Sequence, residues 1–231
     1  MRASGGAWAV LVVIGLVAIS WPVAAGGGFS GGGGPFIVGV FFDLGELERS
    51  LQGIVRIQGD LDLGDQSLFL LRGGGGLGGP EFRFGGMGMQ GEWTYPVTGE
   101  SEFDRMTLTV GGGGFLMDRL IGETEDAGFS LGAVVGGGEW TLRMNKDAQG
   151  SFGEIVRQPV SLELHRSFWF ALPYASVEFR IFEFVGIRAG AGFWATLSFD
   201  DWKIPGGPVA PGGPLRSTLS PLLQLMLIFG G

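Results

Sequence analysis

The sequence predicts an all-β fold: an antiparallel up-and-down β-barrel of about eight strands, with one short helix near the amino terminus. Three observations lead there. Apolar residues either alternate with polar ones or run for about ten to fifteen residues between turn signals, with many β-branched and aromatic side chains. The 47 glycines come with 12% aromatic and only 16% charged residues, a mixture unlike a solvated linker. Helical periodicity is confined to Leu44-Gly45-Glu46-Leu47-Glu48-Arg49-Ser50-Leu51, where Leu44, Leu47 and Leu51 share a face and Gly53 stands ready to end the helix.

The chain begins with Arg2 as a lone charge, an apolar run from Trp8 to Ile19, and Pro22-Val23-Ala24-Ala25 before glycine. That order of regions predicts a signal peptide over residues 1–25, cleaved after Ala25, and an exported single glycine-rich barrel domain over 26–231. The apolar run is shorter than the roughly 20 residues of a spanning helix. Eight strand candidates follow: Pro35 to Asp43, Ser67 to Gly78, Glu81 to Thr94, Arg105 to Met117, Gly128 to Met144, Ser167 to Phe182, Gly186 to Phe199 and Thr218 to Phe229. Turn compositions separate them at Gly79-Pro80, 96–101, 122–127, 145–153 and 205–214. The stretch 54–65 reads as a loop. Glycine runs lie inside three strands, at Gly73 to Gly76, Gly111 to Gly114 and Gly136 to Gly138. Mid-strand glycine marks sharp bending or close approach, which favours a small closed barrel.

Composition also sets limits. With no cysteine, neither a disulfide framework nor a thiolate zinc site is available. The 23 acidic residues outnumber 15 basic ones, which argues against nucleic acid as a partner and against electrostatic attachment of the surface as a whole to anionic lipid heads.

Alternation separates two faces. In the seventh strand Ile187, Ala189, Ala191, Phe193, Ala195, Leu197 and Phe199 oppose Arg188, Gly190, Gly192, Trp194, Thr196 and Ser198. In the sixth, Ala175, Val177, Phe179 and Ile181 oppose Tyr174, Ser176, Glu178 and Arg180; in the fifth, Val134, Trp140, Leu142 and Met144 oppose Glu139, Thr141 and Arg143. Two solutions fit. A soluble secreted or periplasmic all-β binding module would turn the apolar face inward, whereas a membrane barrel would turn it to lipid and keep the polar face inside. Strand number, strand length and aromatics at run ends, as in Phe41-Phe42, Trp93 with Tyr95 and Phe168-Trp169-Phe170, favour the membrane solution, with lipid as the partner and the outer membrane as the location. In these features the region 35–231 resembles small eight-stranded outer-membrane β-barrels, in which an amino-terminal strand closes against a carboxy-terminal strand ending in an aromatic residue. The chain departs from them where Phe229 is followed by Gly230-Gly231.

The resemblance implies a structural, adhesive or binding role without catalysis and without a cofactor. Arg72, Glu139, Arg143, Glu178, Arg180 and Arg188 are the mid-strand ionisable residues expected to pair within a narrow lumen, because unpaired buried charge is costly. Three other patterns were weighed against plainer readings. Gly128-Phe129-Ser130-Leu131-Gly132 has the letters of a hydrolase elbow but lacks the strand-to-helix context. His165 and Ser167 stand two apart, as in the lipid A deacylase barrels; that resemblance implies a lipid hydrolase oriented by a carboxylate such as Glu178, yet Phe168 follows where an asparagine should stand after the serine. A lone histidine at a strand end is the plainer reading. Asp60, Asp62 and Asp65, and Asp200-Asp201, lack the closing glutamate and glycine turn of a calcium loop, so no metal is expected.

Overall fold

A computed structural model describes residues 31–54, 67–97, 103–124, 127–146 and 161–230. The expected leader, the stretch 55–66 with its three aspartates and most of the expected 145–153 turn lie outside the described residues.

Eight long strands close into an antiparallel barrel: β1 (Gly31–Phe42), β2 (Ser67–Gly78), β3 (Phe82–Pro96), β4 (Arg105–Glu123), β5 (Ala127–Asn145), β6 (Ser161–Phe182), β7 (Val185–Leu197) and β10 (Ser217–Phe229). Consecutive strands pair from β1 to β7, β7 pairs with β10, and β10 returns to β1. Two short strands, β8 (Trp202–Lys203) and β9 (Val209–Ala210), form a flap that joins β6 through His165 and Lys203. The single helix, α1 (Gly45–Ile54), follows β1. All eight expected strands are present. β4 and β6 extend beyond their expected bounds, and with β5 they stand taller than the rest of the wall.

The strands are tilted and staggered. Following paired residues from Gly33 through Gly76, Gly86, Phe115, Val135, Ala171 and Ala195 ends at Leu219, well short of Phe229, Gly33's own partner. Such an offset is what closing a sheet of tilted strands requires. Tight connections at 79–81 and 183–184, and the β4–β5 junction where the Thr124 N–H donates to the Ala127 carbonyl, share one end of the barrel with Gly31 and Gly230. The four long connections share the other, in the pattern of short turns at one rim and long loops at the opposite rim.

Glycine permits this closure at particular places. A Cβ on Gly85 would stand 1.8 Å from the Gly76 carbonyl oxygen, and one on Gly73 would stand 2.0 Å from that of Gly88. The inward-facing wall is too crowded there for any side chain.

The outer face is apolar over much of its height. Ile37, Phe84, Phe115, Phe129, Val135, Phe179, Phe193, Leu223 and Leu225 are all exposed, about half of each side chain being accessible. Among the described residues no helix is long and apolar enough to cross a membrane; the apolar surface belongs to the strands. The inside is filled in two storeys. Towards the long loops it holds an aromatic core of Phe42, Phe69, Trp140, Phe168, Phe170 and Trp194, with Phe42 5.0 Å from Phe69 and 5.2 Å from Trp140 between ring centres. Leu44, just before α1, and Leu47 and Leu51 within it join this core from above and cap it. Towards the short turns the filling is ionic.

Candidate functional site

The lower storey of the lumen is a closed charge network contributed by five strands. Alternation in β3 points Phe82 and Phe84 outward and therefore aims Arg83 inward. Its guanidinium donates through Nε to Asp118 Oδ1 (2.7 Å) on β4, and through Nη1 and Nη2 to the two carboxylate oxygens of Glu178 (both 2.7 Å) on β6. Nη2 also donates to Ser130 Oγ on β5 at 2.9 Å. Arg188 on β7 donates to Asp118 Oδ2, reaches Ser176 Oγ at 3.0 Å and stands 3.4 Å from Glu178 Oε1. The Tyr174 hydroxyl donates to Asp118 Oδ2 at 3.3 Å, while its ring lies 5.1 Å under the Arg188 guanidinium. All these side chains are buried. Two guanidinium groups face two carboxylates, so the cluster is electrically balanced and nearly every donor has an acceptor, the condition under which ions survive away from water.

The pairing also follows the strand order. Arg83 and Asp118 are register partners across β3 and β4, as Glu178 and Arg188 are across β6 and β7.

Of the residues expected in the lumen, Glu178, Arg180 and Arg188 lie on the inward face. Arg72, Glu139 and Arg143 do not; all three are exposed on the outer wall. The fifth strand explains the second and third. Near the long loops the lumen takes Trp140, Leu142 and Met144 into its aromatic core, which turns the charged face of β5 outward where the wall rises past the apolar band. For Arg72 the phase of β2 is set by Phe69 and Leu71, both fully buried. Arg83 and Asp118, the centre of the network, were missed. Arg83 was legible, since it stands between Phe82 and Phe84; Asp118 sits among Leu116, Met117, Arg119 and Leu120, where apolar residues fall on both faces.

The other candidate residues are placed as follows. Ser130, from the elbow-like letters, is a lumen hydroxyl within 3.2 Å of Ser176 Oγ. His165 and Ser167 lie on the outer face of β6, and Glu178 lies on the inner face, so it cannot orient His165. Instead His165 Nδ1 meets Glu139 at 2.8 Å and Nε2 meets Glu163 at 2.7 Å. Both ring nitrogens are thus engaged by carboxylates rather than by Ser167. The hydrogen bond to Glu139 and then that to Glu163 raise the imidazole above its ordinary value, outweighing its partial burial. Arg143, 2.7 Å from Glu163, together with His165 holds that carboxyl below the usual range. Asp200 lies 3.4 Å from Lys203 and Asp201 accepts from the Gly212 backbone N–H, so both serve their own loop. No group of three potential metal ligands occurs among the described residues.

No protein-family model matches the chain, and no curated protein does. Among solved structures it is similar to two crystal structures of Ail, the attachment invasion locus protein of Yersinia pestis. The first, in complex with the heparin analogue sucrose octasulfate, matches over 86% of this chain and 96% of that one at 11% identity and a TM-score of 0.43. The second covers the same shares at 13% identity and a TM-score of 0.39. Similarity this distant decides nothing about activity, and the barrel stands on its own strand register.

Proposed function

We propose that this chain is an outer-membrane β-barrel, exported behind a leader that is cleaved after Ala25, and that it works by binding or adhesion through its long-loop end without catalysis or conduction. The observation that carries the reading is the inversion of the wall: exposed aliphatic and aromatic side chains outside, a balanced ion cluster inside. In a soluble module the same strands would bury Phe179 and Phe193 and expose Glu178 and Arg188. The absence of conduction is supported by the filling, an ion cluster below and an aromatic core above. The absence of catalysis is supported by His165, the only histidine, whose nitrogens are both committed to carboxylates.

Membrane fractionation of the expressed full-length protein, joined to gel mobility with and without boiling, tests the location. Mature protein beginning at Gly26, retained in the carbonate-washed outer-membrane pellet and shifting on boiling, is expected. Release as a soluble species would sink the reading. Planar-bilayer recording of the refolded chain should show no stepwise conductance.

A further inference from the structure

Arg72 occupies a position that the rest of the wall avoids. It lies midway along β2, on the outward face, with Leu68 and Leu70 exposed above it and Gly74 below. Its register partners are Ile37 on β1, itself exposed, and Gln90 on β3. The guanidinium is therefore inside the apolar band rather than beyond its rim. Other arginines of the outer wall are matched: Arg119 meets Glu81 at 2.8 Å and lies over the Phe82 ring, and Arg143 meets Glu163. Arg72 makes no hydrogen bond or ion pair with any described residue. A lone cation on a lipid-facing strand is destabilising unless it reaches a counter-charge.

The surroundings limit what that counter-charge can be. Gly74 and its partner Gly88 present bare backbone directly beneath, and a Cβ on either would meet only a single backbone oxygen, no closer than 3.7 Å. The space beside Arg72 is thus open without the fold requiring it to be. Gln90, also exposed, adds an amide donor next to the guanidinium. An arginine fork with a neighbouring amide fits a tetrahedral oxyanion, and a long flexible stem lets the head rise towards the headgroup layer.

We infer that Arg72, with Gln90 beside it, is a contact for the phosphate of an anionic lipid on the outer wall of the barrel. The inference rests on the membrane reading above. Glu92, two residues beyond Gln90 on the same face, is the competing intramolecular partner.

The mature chain would be refolded into vesicles of phosphatidylcholine alone and of phosphatidylcholine mixed with phosphatidylglycerol, and its urea midpoint measured in each. The wild type should gain midpoint in the anionic vesicles; Arg72→Leu and Arg72→Gln should insert equally well and lose the gain, Arg72→Lys should keep part of it, and Glu92→Gln should keep it all. Inorganic phosphate added to neutral vesicles should leave the midpoint unchanged. A wild type indifferent to phosphatidylglycerol, an equal gain in Arg72→Leu, or the same shift from inorganic phosphate would each overturn the inference while the membrane reading stands. Failure of the wild type to insert into either vesicle would overturn both.

Discussion

Asp118 accepts from Arg83, Arg188 and Tyr174 at once, so it is the carboxylate on which both cations of the network depend. Replacing it with asparagine leaves two buried guanidinium groups facing Glu178 alone. Removing one partner of a buried ion pair costs about 3–5 kcal/mol, and Asp118→Asn is expected to lower the urea-unfolding free energy of the refolded barrel by that order. Exchanging charges tests the pairing itself: Glu178→Arg with Arg188→Glu should recover part of what either single change loses, and two purely additive losses would argue against direct coupling. On the outer wall, His165 is held above its ordinary value by Glu139 and Glu163. Its pairing therefore contributes stability that is whole below a pH of about 6.5, the unfolded value, and is lost as pH rises through the raised folded value. An imidazole titration followed by NMR should give a midpoint above 6.5 that falls towards it in Glu139→Gln. Sequence alone supplied the inward Glu178 and Arg188 because β6 and β7 alternate cleanly. It misplaced Glu139 and Arg143 because alternation reports which residues share a face, and the meaning of a face changes with height along the barrel.

The strands themselves were readable from alternation and turn residues, and their number follows directly. Their lengths were less so: β4 continues through Asp118 to Glu123 because Leu116 and Leu120 go on alternating inward, beyond the glycine run where periodicity fades. Helix α1 was marked by its leucine spacing, while its destination over the barrel mouth was not, since no local signal says what a short amphipathic helix will cover. The glycine runs read as bending signals, but only the structure separates their two faces. Inward Gly73, Gly85 and Gly136 are enforced by contact, whereas outward Gly74, Gly88 and Gly137 are not. Gly85→Ala is accordingly expected to cost 1–3 kcal/mol or more, the overpacking range, roughly speaking, whereas Gly88→Ala should change stability by less than about 0.5 kcal/mol. Equal losses at the two sites, measured by urea unfolding, would mean that glycine acts through strand propensity rather than through crowding.

At the scale of the molecule, the wall is taller on one side, where β4, β5 and β6 rise past the others, and the outer face changes character on the way up. The apolar band gives way to Thr109, Glu139, Thr141, Arg143, Glu163 and His165, a polar surface made of ordered strands rather than loops. Closure depends on β10 meeting β1, the two ends of the described chain, so the contact that closes the barrel is the most distant in sequence. The register of the ion cluster gives this order a further meaning. Each of the hairpins β3–β4 and β6–β7 carries one cation and one anion as direct cross-strand partners. The two halves of the network are thus each neutral within their own hairpin before the two meet. Bringing them face to face across the lumen exchanges two local pairs for one shared network, so the same contacts that hold opposite walls together also tie their charges to one another.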